Sequence, residues 1–371
     1  MSPFDRRLIT NLNLSLLLLV LMLFGLGVLN LYSASSLRLQ TGLTTIFFYK
    51  KQLLWGGVGL LGMFLCMLFD YRHLKSISKP LYGLSLVLLV WVLFFSESIF
   101  GAKRWIHLGF FNLQPTEIAK LSVLIMAAHA VSRLPGRIGW PDLWKLLLLV
   151  LVPAALIILQ PDLGSGLNLL LILAGMLVYK GLEKGVFRTL LLACPLIAPW
   201  GWFLLKDYQK QRILTFIHPE QDPLGAGYNI IQSKIAIGSG GMWGKGFLEG
   251  TQSQLKFLPE KHTDFALAVF GEEWGFFGCL VLLSLFCLFL YQILSVMEDA
   301  KDSFAHFLVC GIFFYFFWQI GINMSMVLGL MPIVGIPLPF LSYGGTSTVI
   351  NFCLLGLVLN VSMRRFVFKQ G

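Results

Sequence analysis

Residues 257–290 read FLPEKHTDFALAVFGEEWGFFGCLVLLSLFCLFL, with Glu260, Lys261, His262 and Asp264 set directly against an apolar run and Glu272 and Glu273 one or two helical turns into it. The run continues to about 293, longer than the ~20 residues a helix needs to cross the hydrocarbon core of a bilayer. It reads as a membrane span that opens on ionisable chemistry. Composition agrees: 57% of residues are apolar, 14% aromatic and 12% charged, and the mean hydropathy is +0.79, values that exclude an ordinary soluble domain.

Working outward, similar runs lie near 12–33, 46–69, 80–96, 117–131, 143–160, 164–180, 187–205, 305–331 and 346–363. With 265–293 they predict an all-α polytopic membrane protein of about ten transmembrane helices, forming a single integral membrane domain over 1–371. Two runs read less plainly. The 117–131 run is short and carries Glu117, Lys120 and His129, and the runs on either side of QPDLG (160–164) fit one broken segment as well as two helices. Lysine and arginine in short loops are retained in the cytoplasm. An even number of spans puts Arg6, Arg7, Arg72, Lys75, Lys79, Arg133, Arg137, Lys184, Arg364 and Arg365 there, against Arg38, Lys50, Lys51, Lys103 and Arg104 opposite. Both termini are therefore expected inside, and the one large loop, 206–263 between the seventh and eighth spans, is expected outside. Arg6 and Arg7 precede an apolar run ending in Ser33-Ala34-Ser35, but that run exceeds a signal-peptide core and reads as the first anchor.

The six cysteines lie within apolar runs without CxxC spacing and read as small buried residues. The formal charge of +10 sits mostly on the inner face, where anionic lipid headgroups attract it and no nucleic acid need be invoked. QPTE at 114–117 and QPDLG at 160–164 are adequately explained as helix punctuation. Within the large loop, residues 222–257 are rich in glycine, and YNIIQSKIAI alternates as a short amphipathic helix or strand on a membrane does. A loop of this length that is too apolar for disorder favours a binding surface.

Glu260, His262 and Asp264 stand at i, i+2 and i+4, a spacing that points all three one way in an extended segment. Thr263 or Asp264 can equally cap the eighth span through a side-chain oxygen. Glu117 and Lys120, at i and i+3, supply a second ionisable pair at membrane depth, where such groups are costly and suggest function; the plainer reading is a salt bridge tying helices together. A metal centre built from Glu260, His262 and Asp264 is disfavoured, because Mg²⁺ usually takes one or two carboxylates plus substrate phosphate. No P-loop, zinc spacing or Ser/His/Asp motif is present.

The segments DPLGAGYNIIQSKIAIGSGG, GKGFLEGTQSQLKFLPEKHTDF, GEEWG, RWIHLG, QPTEIAK, QPDLGS and GIPLPFLSYGGTS, in that character and spread over roughly residues 100 to 350, resemble the signature segments of the SEDS family (shape, elongation, division, sporulation), in its elongation form rather than its division form. The resemblance implies a ten-helix inner-membrane peptidoglycan glycosyltransferase. It implies polymerisation of lipid II beside a class B penicillin-binding protein transpeptidase and other elongation-complex membrane proteins. It also implies that Asp264 is the essential acid and that Glu117 and Lys120 are the family's paired residues. Such a polymerase needs a base for the acceptor hydroxyl, for which Asp264 is expected. It also needs cations for the leaving diphosphate, for which Lys103, Arg104, Arg212 and Lys234 are candidates, with a divalent cation (Mg or Mn) that no motif requires. Glu260 and His262 are expected to shape the site. A lipid II flippase is the competing class, but transport places polar residues near the midplane on broken helices, whereas here they gather at the outer boundary. A non-catalytic scaffold would need no acid at that threshold.

Overall fold

A computed structural model describes residues 11–40, 48–96, 104–107, 109, 112–222, 225–254, 257–258 and 260–365. Among the described residues ten long helices occupy the ten predicted runs: α1 (Leu14–Gln40), α2 (Phe48–Leu68), α3 (His73–Phe95), α4 (Pro115–Arg133), α5 (Trp140–Leu159), α6 (Leu163–Lys180), α7 (Lys184–Leu204), α11 (Ala266–Glu298), α12 (Ser303–Val327) and α13 (Gly345–Arg364). Three shorter helices, α8 (Asp207–Ile217), α9 (Ala226–Ser239) and α10 (Thr251–Gln254), build the large loop. A two-residue hairpin, β1 (Ile106–His107) with β2 (Asn112–Leu113), leads into α4. Among the described residues eight helices are long and apolar enough to span a bilayer. The charged α4 and α7 are not among them.

Local sequence explains the ends. Pro115 stands at the first turn of α4 with Glu117 beside it and Arg133 in the last turn, the arrangement that loses no needed donor and complements the helix dipole. Asp162 caps α6 by accepting from Ser165 N at 3.2 Å, so QPDLG is a true break between two helices. Asp302 caps α12, accepting from Phe304 N and Ala305 N at 3.1 Å each. The bundle centres on α13 and α12, of whose spans 78% and 67% are buried, whereas α2 and α3 are only 22% buried and turn their apolar faces outward, as lipid-facing helices do.

α11 is two structures in one. Residues 265–273 are buried on every side, and beyond Gly275 the helix alternates buried and exposed positions. Gly275 itself has φ +65° and ψ −163°, a region open essentially to glycine alone. The kink frees backbone groups at a depth where water is scarce, and the glycine-rich loop after α9 takes them up: Lys245 N donates to Glu272 O (3.0 Å), Gly246 N to Glu273 O (3.1 Å), Phe276 N to Gly241 O (2.9 Å) and Phe277 N to Met242 O (3.1 Å). Residues 241–246 thus form a strap across the kink. A Cβ on residue 275 would lie 2.2 Å from Gly244 N. Gly275→Ala is therefore expected to cost at least about 1–3 kcal/mol and to lower the unfolding temperature of the detergent-solubilised protein. Gly321→Ala, where a Cβ meets nothing within 4 Å, should leave it unchanged or slightly raised; equal effects would remove the strap's structural role.

Candidate active site at the mouth of the eighth span

The two glutamates inside the apolar run hold the loop. Glu272, fully buried, accepts from Lys245 Nζ (2.7 Å), Thr251 Oγ1 (3.2 Å) and Gln252 N (2.8 Å), and Ser33 Oγ of α1 donates to Glu273. Their charges at membrane depth fasten α10 and the strap to α11.

Asp264 is used differently. Residues 260–264 form turns rather than an extended run, with Thr263 N and Phe265 N both donating to Glu260 O, so the expectation that Glu260, His262 and Asp264 line one face is overturned. The expected cap is also absent: α11 starts at Ala266 with Phe265 at its N-cap and no side-chain cap bond. Thr263 Oγ1 instead donates to Glu260 O and Glu260 Oε2. The Asp264 backbone is what is fastened. Asn323 Nδ2 of α12 donates to Asp264 O (3.0 Å) and to Ile336 O (2.8 Å), clipping the turn to the segment before α13. Tyr343 N, donating to His262 O at 2.8 Å, clips it a second time.

The charges around this carboxyl come from distant stretches of chain. Arg104 donates to the carbonyls of Gln160 (3.2 Å) and Pro161 in the break between α5 and α6. Gly164, where a Cβ would lie 2.4 Å from Val334 O, lets that break close onto residues 333–336. Arg212 of α8 donates to Ile333 O at 3.1 Å. Asp264 keeps a partly accessible surface, yet crowding by protein pushes its carboxyl up to about 6, helped by Glu260 and Asp162 and opposed by Arg212 and Arg104. The site is one partly ionisable acid flanked by two arginines whose remaining N–H groups can hold an anion.

The other expected residues fall around it or away from it. Glu260 is exposed at the turn. His262 stacks its ring on Phe48, centroids 4.3 Å apart. Lys234 lies on α9 with its stem against Gly329, just beyond α12. Lys103 lies outside the described residues. Glu117 and Lys120 pair at 2.6 Å with side chains only 3–4% exposed. The pair lies within one helix rather than between two; its link to α12 runs through the Lys120 ammonium, 5.8 Å from the centre of the Tyr315 ring. Asp162 and Asn323 were not foreseen. QPDLG pointed to Asp162 but reads equally as a cap, and nothing in the apolar α12 run marks Asn323 as a clip.

The sequence profile of the FtsW, RodA and SpoVE cell cycle proteins matches residues 14–366. Peptidoglycan glycosyltransferase MrdB of Escherichia coli K12 is 39% identical over 317 residues, 85% of each chain. A chain from a solved complex described as a peptidoglycan synthase, coordinating polymerization and crosslinking, superposes with a TM-score of 0.81 at 34% identity, covering 96% of this chain and 98% of that one. The crystal structure of the rod shape determining protein RodA of Thermus thermophilus covers the same shares with a TM-score of 0.71 at 30% identity.

Proposed function

This chain belongs to the FtsW/RodA/SpoVE family and is a membrane-embedded peptidoglycan glycosyltransferase of cell-wall elongation, and from that premise we propose that it polymerises lipid II with Asp264 as general base. The carboxylate takes the proton of the acceptor sugar's 4-hydroxyl as that oxygen attacks the donor's anomeric carbon. The bond to the diphosphate breaks from the opposite side, and configuration inverts in a single displacement. Charge gathering on the leaving diphosphate is met by Arg212 and Arg104, with Lys234 and Lys103 as further candidate cations and Glu260 and His262 shaping the turn. The observation that carries this reading is that Asp264, at the helix threshold, caps nothing. Its carboxyl, pushed up to about 6, is mostly ionised at neutrality yet binds a proton more tightly than an ordinary carboxylate, so it combines the availability and the proton affinity that a base needs.

A divalent cation, Mg or Mn, fits this site only as a companion of the diphosphate. Among the described residues no three His, Cys, Asp or Glu side chains converge, while Asp264 with Glu260 or Asp162 offers the one or two carboxylates such an ion takes beside phosphate. Bound there it would neutralise diphosphate charge. Partnership with a class B penicillin-binding protein transpeptidase and other elongation-complex membrane proteins is supported by the likeness to a chain of a synthase complex that couples polymerization to crosslinking.

The reading requires the bacterial inner membrane, both termini in the cytoplasm and residues 206–263 outside. Ser239, at the exposed end of α9, and Lys184, exposed at the start of α7, test this by substitution with Cys in a Cys-free background. An impermeant maleimide should label Ser239→Cys in intact spheroplasts and Lys184→Cys only after lysis. The reverse pattern would put Asp264 on the wrong side for a wall polymerase. For the activity itself, purified protein given labelled lipid II should yield glycan strands without any partner transglycosylase present.

A further inference from the structure

The opposite end of the bundle carries a second concentration of polar groups that the transfer reaction does not use. Where α11 gives way to α12, the turn before α12, the start of α3 and the last turn of α4 enclose a cavity of about 480 Å³, lined among others by Lys75, His129, Ser132, Arg133, Asp302 and Ser303. Its one carboxylate is already committed. Asp302 takes the Tyr71 hydroxyl, caps α12 through two backbone N–H groups and pairs with Lys75 at 3.4 Å. The serine protons are spent too, Ser132 Oγ donating to His129 O (2.8 Å) and Ser303 Oγ to Ser132 O (3.2 Å).

The cations are less committed. Arg133, exposed at the end of α4, makes no ion pair among the described residues, nor does Lys79 one turn beyond Lys75. His129 is 7% exposed, and its Nδ1 has no hydrogen-bond partner. The positive charges of Arg133, Lys75 and Lys79 all bear on its ring. Buried polar atoms are normally satisfied, and an orphan calls for a reason. The residue lines a cavity whose surplus charge is positive, between helix ends at the membrane surface, the setting in which basic pockets hold lipid headgroups.

We infer that this cavity binds a phosphate group, held by Arg133 and Lys75 at its mouth and by His129 in its wall. Two sources share that chemistry, an anionic phospholipid headgroup of the adjoining leaflet and free phosphate or pyrophosphate. The inference does not depend on the role of Asp264.

The test uses the full chain in nanodiscs of phosphatidylcholine. In one arm phosphatidylglycerol is added and its retention followed by native mass spectrometry alongside the unfolding temperature; in the other, neutral discs are titrated with inorganic pyrophosphate. Arg133→Gln, which removes an exposed and unpaired cation, should unfold like the parent in neutral discs yet bind about fivefold more weakly, the loss expected for one charge near an anionic surface. His129→Phe keeps the ring's bulk and should weaken binding at least as much. Loss confined to the phosphatidylglycerol arm assigns the site to lipid, and loss in the pyrophosphate arm assigns it to a free ligand. Equal binding by the parent and Arg133→Gln, or no binding in either arm, overturns the inference.

Discussion

Asp264→Asn protein, purified and supplied with labelled lipid II, is expected to make glycan about 10²–10⁴-fold more slowly than the parent, the usual contribution of a general base, and the deficit should persist at saturating lipid II. Asparagine has nearly the same shape and caps helices as well as aspartate, so a structural role would leave the rate almost untouched. The pH profile supplies a second readout. Because the carboxyl titrates near 6, parental activity should fall as pH drops through that value, and the variant's residual rate should lack the inflection. The stability effect has the opposite sign. A carboxyl whose folded value lies above its ordinary 3.8 favours the fold while protonated, and that contribution fades as pH rises through 6. At pH 7–8 the ionised group is a burden of about 1–2 kcal/mol, taken at the low end because some surface is accessible. Asp264→Asn should therefore melt higher than the parent at pH 8 and indistinguishably at pH 4. Near-normal polymerisation by the variant would remove Asp264 from the chemistry.

Breaking the pair of Glu117 and Lys120 should have the largest effect on folding. Either Glu117→Ala or Lys120→Ala leaves an unmatched charge where side chains are 3–4% exposed, and removing one partner of a buried pair typically costs 3–5 kcal/mol. Folded yield and unfolding temperature should drop sharply for both. Replacing both by apolar residues of similar volume is often nearly neutral, so Glu117→Leu/Lys120→Met should recover most of the loss. Polymerisation by that double variant then separates the two roles left to the pair: activity that returns with stability marks a structural tie, and activity that stays low marks a pair that shapes the site. Two unaffected singles would leave it neither role.

Hydropathy made the membrane helices legible because a span must hide its backbone from lipid whatever else it does. All ten apolar runs became helices, including α4, whose Glu117 and Lys120 are tolerated by enclosure against α12. The kink at Gly275 was not legible, since a lone glycine in an apolar run also reads as tolerated helix; it is set by a strap some thirty residues earlier in the chain. Asp264 stood out as an acid at a helix threshold, but its neighbours did not. Arg104, Asp162 and Arg212 reach it from three separate segments, and no periodicity records which loops meet. The local spacing of Glu260, His262 and Asp264 misled for the same reason, because a turn rather than a strand carries them.

The order of synthesis gives the strap a further meaning. Residues 241–246 leave the ribosome before α11 does, so the donors and acceptors that the Gly275 kink requires are already made when that helix enters the bilayer. Chains fold broadly from the N-terminus as they emerge, and a kinked span arriving first would hold bare carbonyls in lipid. The bent helix instead meets a template that is waiting for it.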